Sequence, residues 1–135
     1  CPKVSRTMCM YLSRYNVYKL YQDYNDCYDY VIYLRMDCTF QEKLNFAQLS
    51  KDALNIPSSN HDYLNDQFAI GTQFIMKNYF KLYESLPNLL DNFEHNPYTH
   101  NFQEILLTKH VKQFNITVNI INFKYQLNRN KYLVR

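Results

Sequence analysis

The chain contains a single glycine, Gly71, among its 135 residues. Tight turns between β-strands usually need a positive φ, which glycine adopts at the lowest cost. A chain with one glycine and four prolines therefore favours long helices joined by short links. Its 47% apolar residues and its length suit one domain with a buried core. We predict an all-α fold, a helical bundle of four to six helices that forms a single helical domain over residues 1–135.

All the cysteines lie near the beginning of the chain, at Cys1, Cys9, Cys27 and Cys38. An even number of cysteines in a short chain indicates a disulfide framework and an oxidising compartment. We expect two disulfides, with Cys9–Cys27 and Cys1–Cys38 as the preferred pairing among the three connectivities possible. A zinc site is disfavoured, because structural zinc ligands come in closely spaced pairs that this chain lacks. Helical hairpins with twin Cys-x9-Cys motifs are similar only in design, since neither spacing here has nine intervening residues.

The preferred pairing follows from the helical pattern of residues 1–38. Residues 3–21 carry tyrosines and apolar side chains at helical spacing, and the polar stretch 21–26 suits a turn. From Cys27 to Cys38, apolar residues recur at intervals of 4, 3 and 4, which places both cysteines on one face of a second helix. The two segments would form an antiparallel helical hairpin stapled by the disulfides.

The middle of the chain is predicted to contain two longer helices and a short one. Thr39-Phe40-Gln41-Glu42 has the form of a capping box, which would begin a third helix that ends near Leu54. A fourth helix would begin at Asn60 and end or kink at Leu86-Pro87. A short helix around Asn88–Phe93 would follow it.

The end of the 39–127 region allows two interpretations. Apolar residues at helical spacing predict one helix from Asn101 to Leu127. A strand after Asn115 is the alternative, because β-branched residues alternate with polar ones there, at Ile116, Val118 and Ile120. The chain ends with basic residues and no acidic ones, at Lys124, Arg129, Lys131 and Arg135, and we assign residues 128–135 as a basic tail. We interpret the tail as a solvated terminus rather than a phosphate or membrane contact.

The chain is rich in tyrosine, with fourteen in all. Tyrosine provides a large contact area at low entropic cost and is enriched at interfaces. Not all the tyrosines of a two-helix hairpin can face inward. We predict a partner-binding face for an unknown host or receptor protein, formed by Tyr11, Tyr15, Tyr18, Tyr21, Tyr24 and Tyr28. The nearby Arg14, Lys19 and Arg35 would favour an acidic partner.

The sequence lacks the common motifs of catalysis and of metal or cofactor binding. One glycine excludes a glycine-rich phosphate loop, and the chain has no H-E-x-x-H, G-x-S-x-G or C-x-x-C. His100 and Glu104 would share a helix face, but a surface histidine near a helix end is the simpler interpretation. We therefore predict no enzyme activity, no cofactor and no metal. Asn115-Ile116-Thr117 is a glycosylation sequon, so Asn115 is a candidate glycosylation site.

Charge and hydropathy narrow the possible partners. A net charge of +3 is mild for a dedicated nucleic-acid binder, so we expect no nucleic acid. No apolar run approaches the length of a membrane-spanning helix. A chain that begins at Cys1 without a signal peptide is interpreted either as a processed, mature form or as a trimmed piece of a longer chain.

The cysteine and tyrosine positions resemble those of the bicycle proteins, secreted proteins of gall-forming aphids with paired Cys–Tyr–Cys motifs. The similarity lies in Cys1…Cys9-Met10-Tyr11 and in Cys27-Tyr28…Cys38, over about the first 40 residues. In the first pair the tyrosine follows the second cysteine instead of lying between the two. The resemblance implies a secreted, largely helical effector delivered to a plant, and it supplies no catalytic residues.

These observations together predict a secreted, extracellular, non-enzymatic protein that acts by binding a host macromolecule. A cytokine-like signalling ligand built on a helical bundle is one alternative. A carrier of a small apolar ligand is another, since the chain has many large apolar residues. The identity of the partner and the oligomeric state stay open.

Overall fold

The chain folds as a mixed α/β structure, so the all-α prediction is wrong. The structure is a computed structural model that describes residues 2–24, 26–93 and 101–128. In chain order its elements are α1 (Pro2–Gln22), β1 (Val31–Leu34), β2 (Cys38–Phe40), β3 (Leu54–Pro57), β4 (Phe68–Gly71), α2 (Gln73–Phe80), α3 (Leu82–Asp91), α4 (Phe102–Gln113), β5 (Val118–Ile121) and β6 (Tyr125–Leu127). A single 3-10 turn, Phe46–Gln48, lies between β2 and β3.

Four of the strands form one sheet in the order β1-β4-β3-β5. Strand β4 is antiparallel to both β1 and β3, whereas β3 and β5 are parallel. Strands β2 and β6 form a separate antiparallel ribbon. The strands that pair are distant in sequence, and long segments connect them. Tight two-residue hairpins are therefore not needed, which is why one glycine suffices for a sheet. Gly71 itself has no positive φ.

The four-stranded sheet is covered on both faces. One face carries Leu54, Ile56 and Ala69, which pack with buried residues of the helices in the larger core cluster. The other face carries Phe68, Ile70 and Ile121, which pack with Phe123 and with partly buried residues of the ribbon and of segment 41–50. Because neighbouring side chains on a strand point to opposite faces, β4 alternates between the two clusters. The sequence of a strand that is buried on both faces is continuously apolar, without alternation, as in β4.

Asn55 joins the central strands from within. Its side chain is fully buried, and its Oδ1 accepts hydrogen bonds from the Ser50 N–H and the Asn119 amide, both at 2.8 Å. Its Nδ2 lies 2.9 Å from the Ser50 carbonyl oxygen and 3.1 Å from those of Ala53 and Ile70. One amide thus connects β3 to β4, to β5 and to the preceding loop.

The first predicted helix is confirmed, but the hairpin over residues 1–38 is wrong. Helix α1 spans Pro2–Gln22, close to the predicted 3–21. The segment from Cys27 to Cys38 forms β1 and the start of β2 instead of a second helix. Its run Val31-Ile32-Tyr33 consists of β-branched and aromatic residues, which favour strands. The 4-3-4 spacing was therefore a coincidence over a short segment.

The predicted third and fourth helices are wrong in most of their length. The capping-box residue Glu42 accepts a hydrogen bond from the Lys124 N–H at 2.7 Å and so fixes the segment beside β6. The region predicted as one helix from Asn60 to Leu86 contains β4, α2 and the first half of α3. Pro87 lies inside α3, which continues to Asp91. The separate short helix around 88–93 is thus the end of α3.

The end of the chain follows the strand alternative. Helix α4 begins at Phe102, next to the predicted Asn101, but it ends at Gln113 and β5 and β6 follow. Asn115 adopts a φ of 50°, the left-handed conformation that terminates many helices. The Ile116 N–H donates to the Val111 carbonyl oxygen at 3.0 Å, which closes the cap. Residues 129–135 of the predicted basic tail lie outside the described residues.

Candidate ligand-binding pocket

A polar pocket of about 380 Å³ lies where β3 and β5 end. In open α/β sheets, ligands commonly bind beyond the carboxyl ends of the parallel strands. The segment after β3 provides Ser59 and His61, and the segment after β5 provides Phe123. Strand β4 is antiparallel to β3, so the residues before it reach the same edge. The first turn of α4 closes one side with Glu104.

Three side chains of the pocket form a hydrogen-bonded chain. The Asn65 amide donates to the Tyr125 hydroxyl at 2.6 Å, and that hydroxyl donates to the Gln67 Oε1 at 2.9 Å. The Asn65 Oδ1 also accepts from the Gln67 N–H at 2.9 Å. The amide and hydroxyl groups are therefore oriented before any ligand arrives. The pocket offers both donors and acceptors at fixed positions.

Glu104 places a carboxyl group in the same pocket. It is half-buried, and it is followed in α4 by Ile105 and Leu106, whose side chains are buried and anchor this turn of the helix. Burial raises the pKa of the Glu104 carboxyl, the charge of Asp66 raises it further, and His61 lowers it. Among the described residues, no lysine or arginine forms an ion pair with Glu104. A carboxyl with a raised pKa facing a polar pocket is typical of functional sites.

A buried ion pair supports the wall of the pocket from behind. The Arg14 Nη2 lies 3.1 Å from the Asp66 Oδ2 and donates to the Asp66 carbonyl oxygen at 2.9 Å. The guanidinium carbon lies 5.1 Å from the ring centroid of Tyr11 and 4.5 Å from that of Tyr33. The pair connects α1 to the loop that carries Asn65. Arg14 therefore positions the pocket without lining it.

The structure divides the six tyrosines of the predicted binding face. Tyr11 and Tyr18 belong to the core, since they are only 2% and 6% exposed. Tyr15 and Tyr21 are half-buried, and the Tyr15 ring stacks on Tyr83 at 5.6 Å. Tyr24 and Tyr28 are exposed. The six rings do not share one surface.

The predicted disulfides are contradicted. Cys9, Cys27 and Cys38 are free thiols, and Cys1 lies outside the described residues. Cys27 follows the end of α1, whereas Cys9 lies thirteen residues before Gln22, which is about 20 Å along the helix axis. Because no second helix returns along α1, nothing brings Cys27 back to Cys9. Asn115 is exposed, and its glycosylation stays a prediction.

Of the two residues weighed as an acid–base pair, only Glu104 can be placed, because His100 lies outside the described residues. No group of three or more histidine, cysteine or acidic residues in the described ranges could hold a metal ion. Sequence reasoning missed Asn65, Gln67 and Tyr125. Tyr125 is 60 positions from Asn65, so no local motif links them.

The described helices include none with the length and apolar character needed to cross a membrane. Comparison with protein-family models, with curated proteins and with solved structures finds no match to this chain.

Proposed function

We propose that the polar pocket binds a sugar or a similar small polyol. The observation that carries this proposal is the oriented chain of Asn65, Tyr125 and Gln67 beside the Glu104 carboxyl. Sugar hydroxyls both donate and accept hydrogen bonds, so they match amides, a hydroxyl and a carboxyl arranged around one cavity. The volume of about 380 Å³ is in the range of small-molecule sites.

The other side chains of the pocket favour a polyol over a phosphate or an apolar ligand. Phe123 and Tyr125 offer aromatic surface, with ring centroids 6.4 Å apart, against which the C–H face of a sugar ring can pack. Lys124 and His61 line the pocket, but no arginine does within the described residues, and the Glu104 carboxyl faces the same space. Arginine is the usual bidentate partner of phosphate, and a carboxylate in the pocket would repel the negative charge of a phosphate. The many polar groups make a wholly apolar ligand costly to bind, because those groups would lose their water.

The test is a titration of the isotope-labelled chain with a panel of monosaccharides and disaccharides, followed by amide NMR. We expect at least one sugar to shift the amides of Asn65, Gln67 and Glu104 with a dissociation constant of about 1 mM or tighter. The Tyr125→Phe variant should bind roughly tenfold more weakly, because it loses a hydroxyl worth about 1–1.5 kcal/mol. Tyr24→Phe is the matched control, since Tyr24 is exposed and lies outside the pocket. Equal affinity in the two variants, or no shift with any sugar, would refute the proposal.

A second candidate function is acid–base chemistry on the bound ligand. The raised pKa of Glu104 favours this, because a general base works best when its pKa approaches the working pH. The Glu104 carboxylate would accept the proton of a ligand hydroxyl while that oxygen attacks an activated sugar donor, whose leaving group departs. The chain would be incubated with aryl glycosides and nucleotide sugars together with the sugar that binds. Transfer that falls as acid protonates Glu104, and that Glu104→Gln abolishes while binding persists, would support it. If no transfer is detected, the acid–base function is refuted and sugar binding remains the proposed function.

The sequence-based expectation of a secreted, non-enzymatic effector of a host macromolecule stays a prediction. The disulfides were the main argument for secretion, and the described cysteines are free. The bicycle-protein resemblance likewise stays a hypothesis.

A further inference from the structure

Strand β1 lies at one end of the four-stranded sheet, and no strand in the described part of the chain pairs with its outer side. Just beyond β1, the Arg35 N–H donates to the Gln67 carbonyl oxygen at 3.1 Å. The backbone groups of successive residues in a strand alternate in direction. Those of Ile32 and Leu34 therefore point away from β4. Their N–H donors and carbonyl acceptors face the open edge.

An apolar groove of about 870 Å³ runs along this edge, between β1 and α1. Its walls expose large apolar side chains from both elements. Val17 of α1 is 64% exposed, and Met36, which follows β1, is 97% exposed. Ile32 and Leu34 are 43% and 39% exposed. An exposed apolar patch of this kind marks an interaction site more often than a free surface.

The edge lacks the features that normally protect a free strand. Proteins usually block such edges with lysine, proline or a bulge, and Val31-Ile32-Tyr33-Leu34 contains neither residue and pairs with β4 in continuous register. The charged groups of the groove are neutralised. Arg35 pairs with Asp37 at 2.7 Å, and Arg14 is held by its buried partner. The groove therefore suits an uncharged, apolar segment.

We propose that the edge of β1 accepts an apolar β-strand from a partner polypeptide, which adds to the sheet beside Ile32 and Leu34. The strand would pair its backbone with the outward groups of β1, and side chains on one of its faces would cover Val17 and Met36. This is strand addition, in which the backbone provides affinity and the pockets provide specificity. A second copy fits less well, because α1 lines the groove and two copies would bring two α1 helices over the same edge. Among the described residues, the groove and the sugar pocket share no lining residue.

The probe is an acetylated and amidated peptide of alternating valine and threonine with a lysine at each end, about seven residues long. The control peptide has the same sequence with every valine and threonine N-methylated, which removes the backbone donors on both edges of the strand. In the free chain, the amides of Ile32 and Leu34 should exchange with solvent faster than that of Tyr33. With the probe they should become protected, and the control peptide should give no protection.

Two variants test the groove itself. Val17→Asp puts a charge on the α1 wall, at a position with no part in the sheet, and should weaken probe binding at least tenfold. Asn16→Asp is its matched control, since it puts the same charge on the neighbouring exposed residue of the same helix and should leave binding unchanged. Leu34→Pro removes one outward donor while sparing the β4 ladder, and should also weaken binding.

Each outcome decides the proposal. Protection of Ile32 and Leu34 by the probe but not by the methylated peptide, together with loss in Val17→Asp, supports it. Equal binding of the two peptides, or protection of these amides in the free monomer, overturns it. A concentration-dependent dimer in sedimentation, broken by Val17→Asp but not by Asn16→Asp, would assign the edge to a second copy and overturn it as well. Val17→Asp keeps the test valid if Leu34→Pro fails to fold.

Discussion

Replacing Asn55 with alanine should destabilise the fold more than any exposed substitution. The Asn55 side chain is fully buried and contacts two N–H groups and three carbonyl oxygens of the sheet and the adjoining loop. Its Nδ2 carries two hydrogens, so two of the three carbonyl contacts can be full hydrogen bonds at one time. Together with the two bonds to Oδ1, about four bonds are lost in Asn55→Ala.

The size of the effect follows from the burial of the groups left behind. A buried hydrogen bond contributes about 1 kcal/mol net, and a stranded buried donor or acceptor costs about 1–3 kcal/mol. Ser50 and Asn119 are only partly buried and can recover water, whereas the Ile70 carbonyl cannot. We expect a loss of about 3–5 kcal/mol in the free energy of unfolding. That is a large part of the total stability of a small domain, about 5–15 kcal/mol.

Urea denaturation followed by circular dichroism measures this loss. The midpoint should fall while the slope with urea stays constant, as expected for two-state unfolding. Asn119→Ala is the matched control, because it removes one bond to Asn55 and one to the Gln48 carbonyl oxygen from a partly exposed position. It should cost about 1–2 kcal/mol. A loss below about 1 kcal/mol for Asn55→Ala, or one no larger than that of Asn119→Ala, would refute the reasoning.

Two further predictions concern buried charges. Asp66→Asn should lower the free energy of unfolding by about 3 kcal/mol, because it leaves the Arg14 guanidinium buried without its carboxylate. The double variant with Arg14→Met should lose less stability than the sum of the two single variants. Strictly additive losses in urea denaturation would contradict the pairing. His110 is fully buried, and burial lowers its pKa although its hydrogen bond to the Asn78 carbonyl oxygen raises it. The unfolded chain therefore takes up the proton first as pH falls below the ordinary value of 6.5, so its contribution to stability is complete above that pH and lost below it. The melting temperature of the native chain should fall more steeply between about pH 6.5 and pH 5 than that of His110→Gln, and parallel slopes would contradict this.

The elements that sequence predicted correctly are those whose pattern is long or locally capped. Helix α1 spans 21 residues, enough turns for the period of Tyr11 and Tyr18 to be distinguished from chance. The strand alternative after Asn115 rested on alternating β-branched residues, and Asn115 itself occupies the left-handed position that ends α4. Asparagine is one of the residues that occupy this left-handed position, so Asn115 is the local signal for the end of α4.

The missed strands are short, and tertiary pairing determines them. Strand β4, Phe68–Gly71, is buried on both faces, so it shows no alternation to separate it from part of a helix. Strand β1 spans only four residues. A pattern that short cannot distinguish a strand from the helical spacing seen between Cys27 and Cys38. A shortage of glycine argues against tight hairpins, but none of the strand pairs in the described residues is a tight hairpin. Long connections form these pairs, and they do not require a positive φ.

The two candidate sites are joined by the pair of Arg14 and Asp66, and this decides which variants can separate them. Arg14 lines the groove beside β1, whereas Asp66 follows Asn65 of the pocket and raises the pKa of Glu104. A substitution at either end of the pair would disturb the groove wall, the pocket wall and the titration of Glu104 together. Loss of binding in such a variant would identify neither site. Only substitutions that leave the pair intact, at Val17 for the groove and at Tyr125 for the pocket, assign a change in binding to one surface.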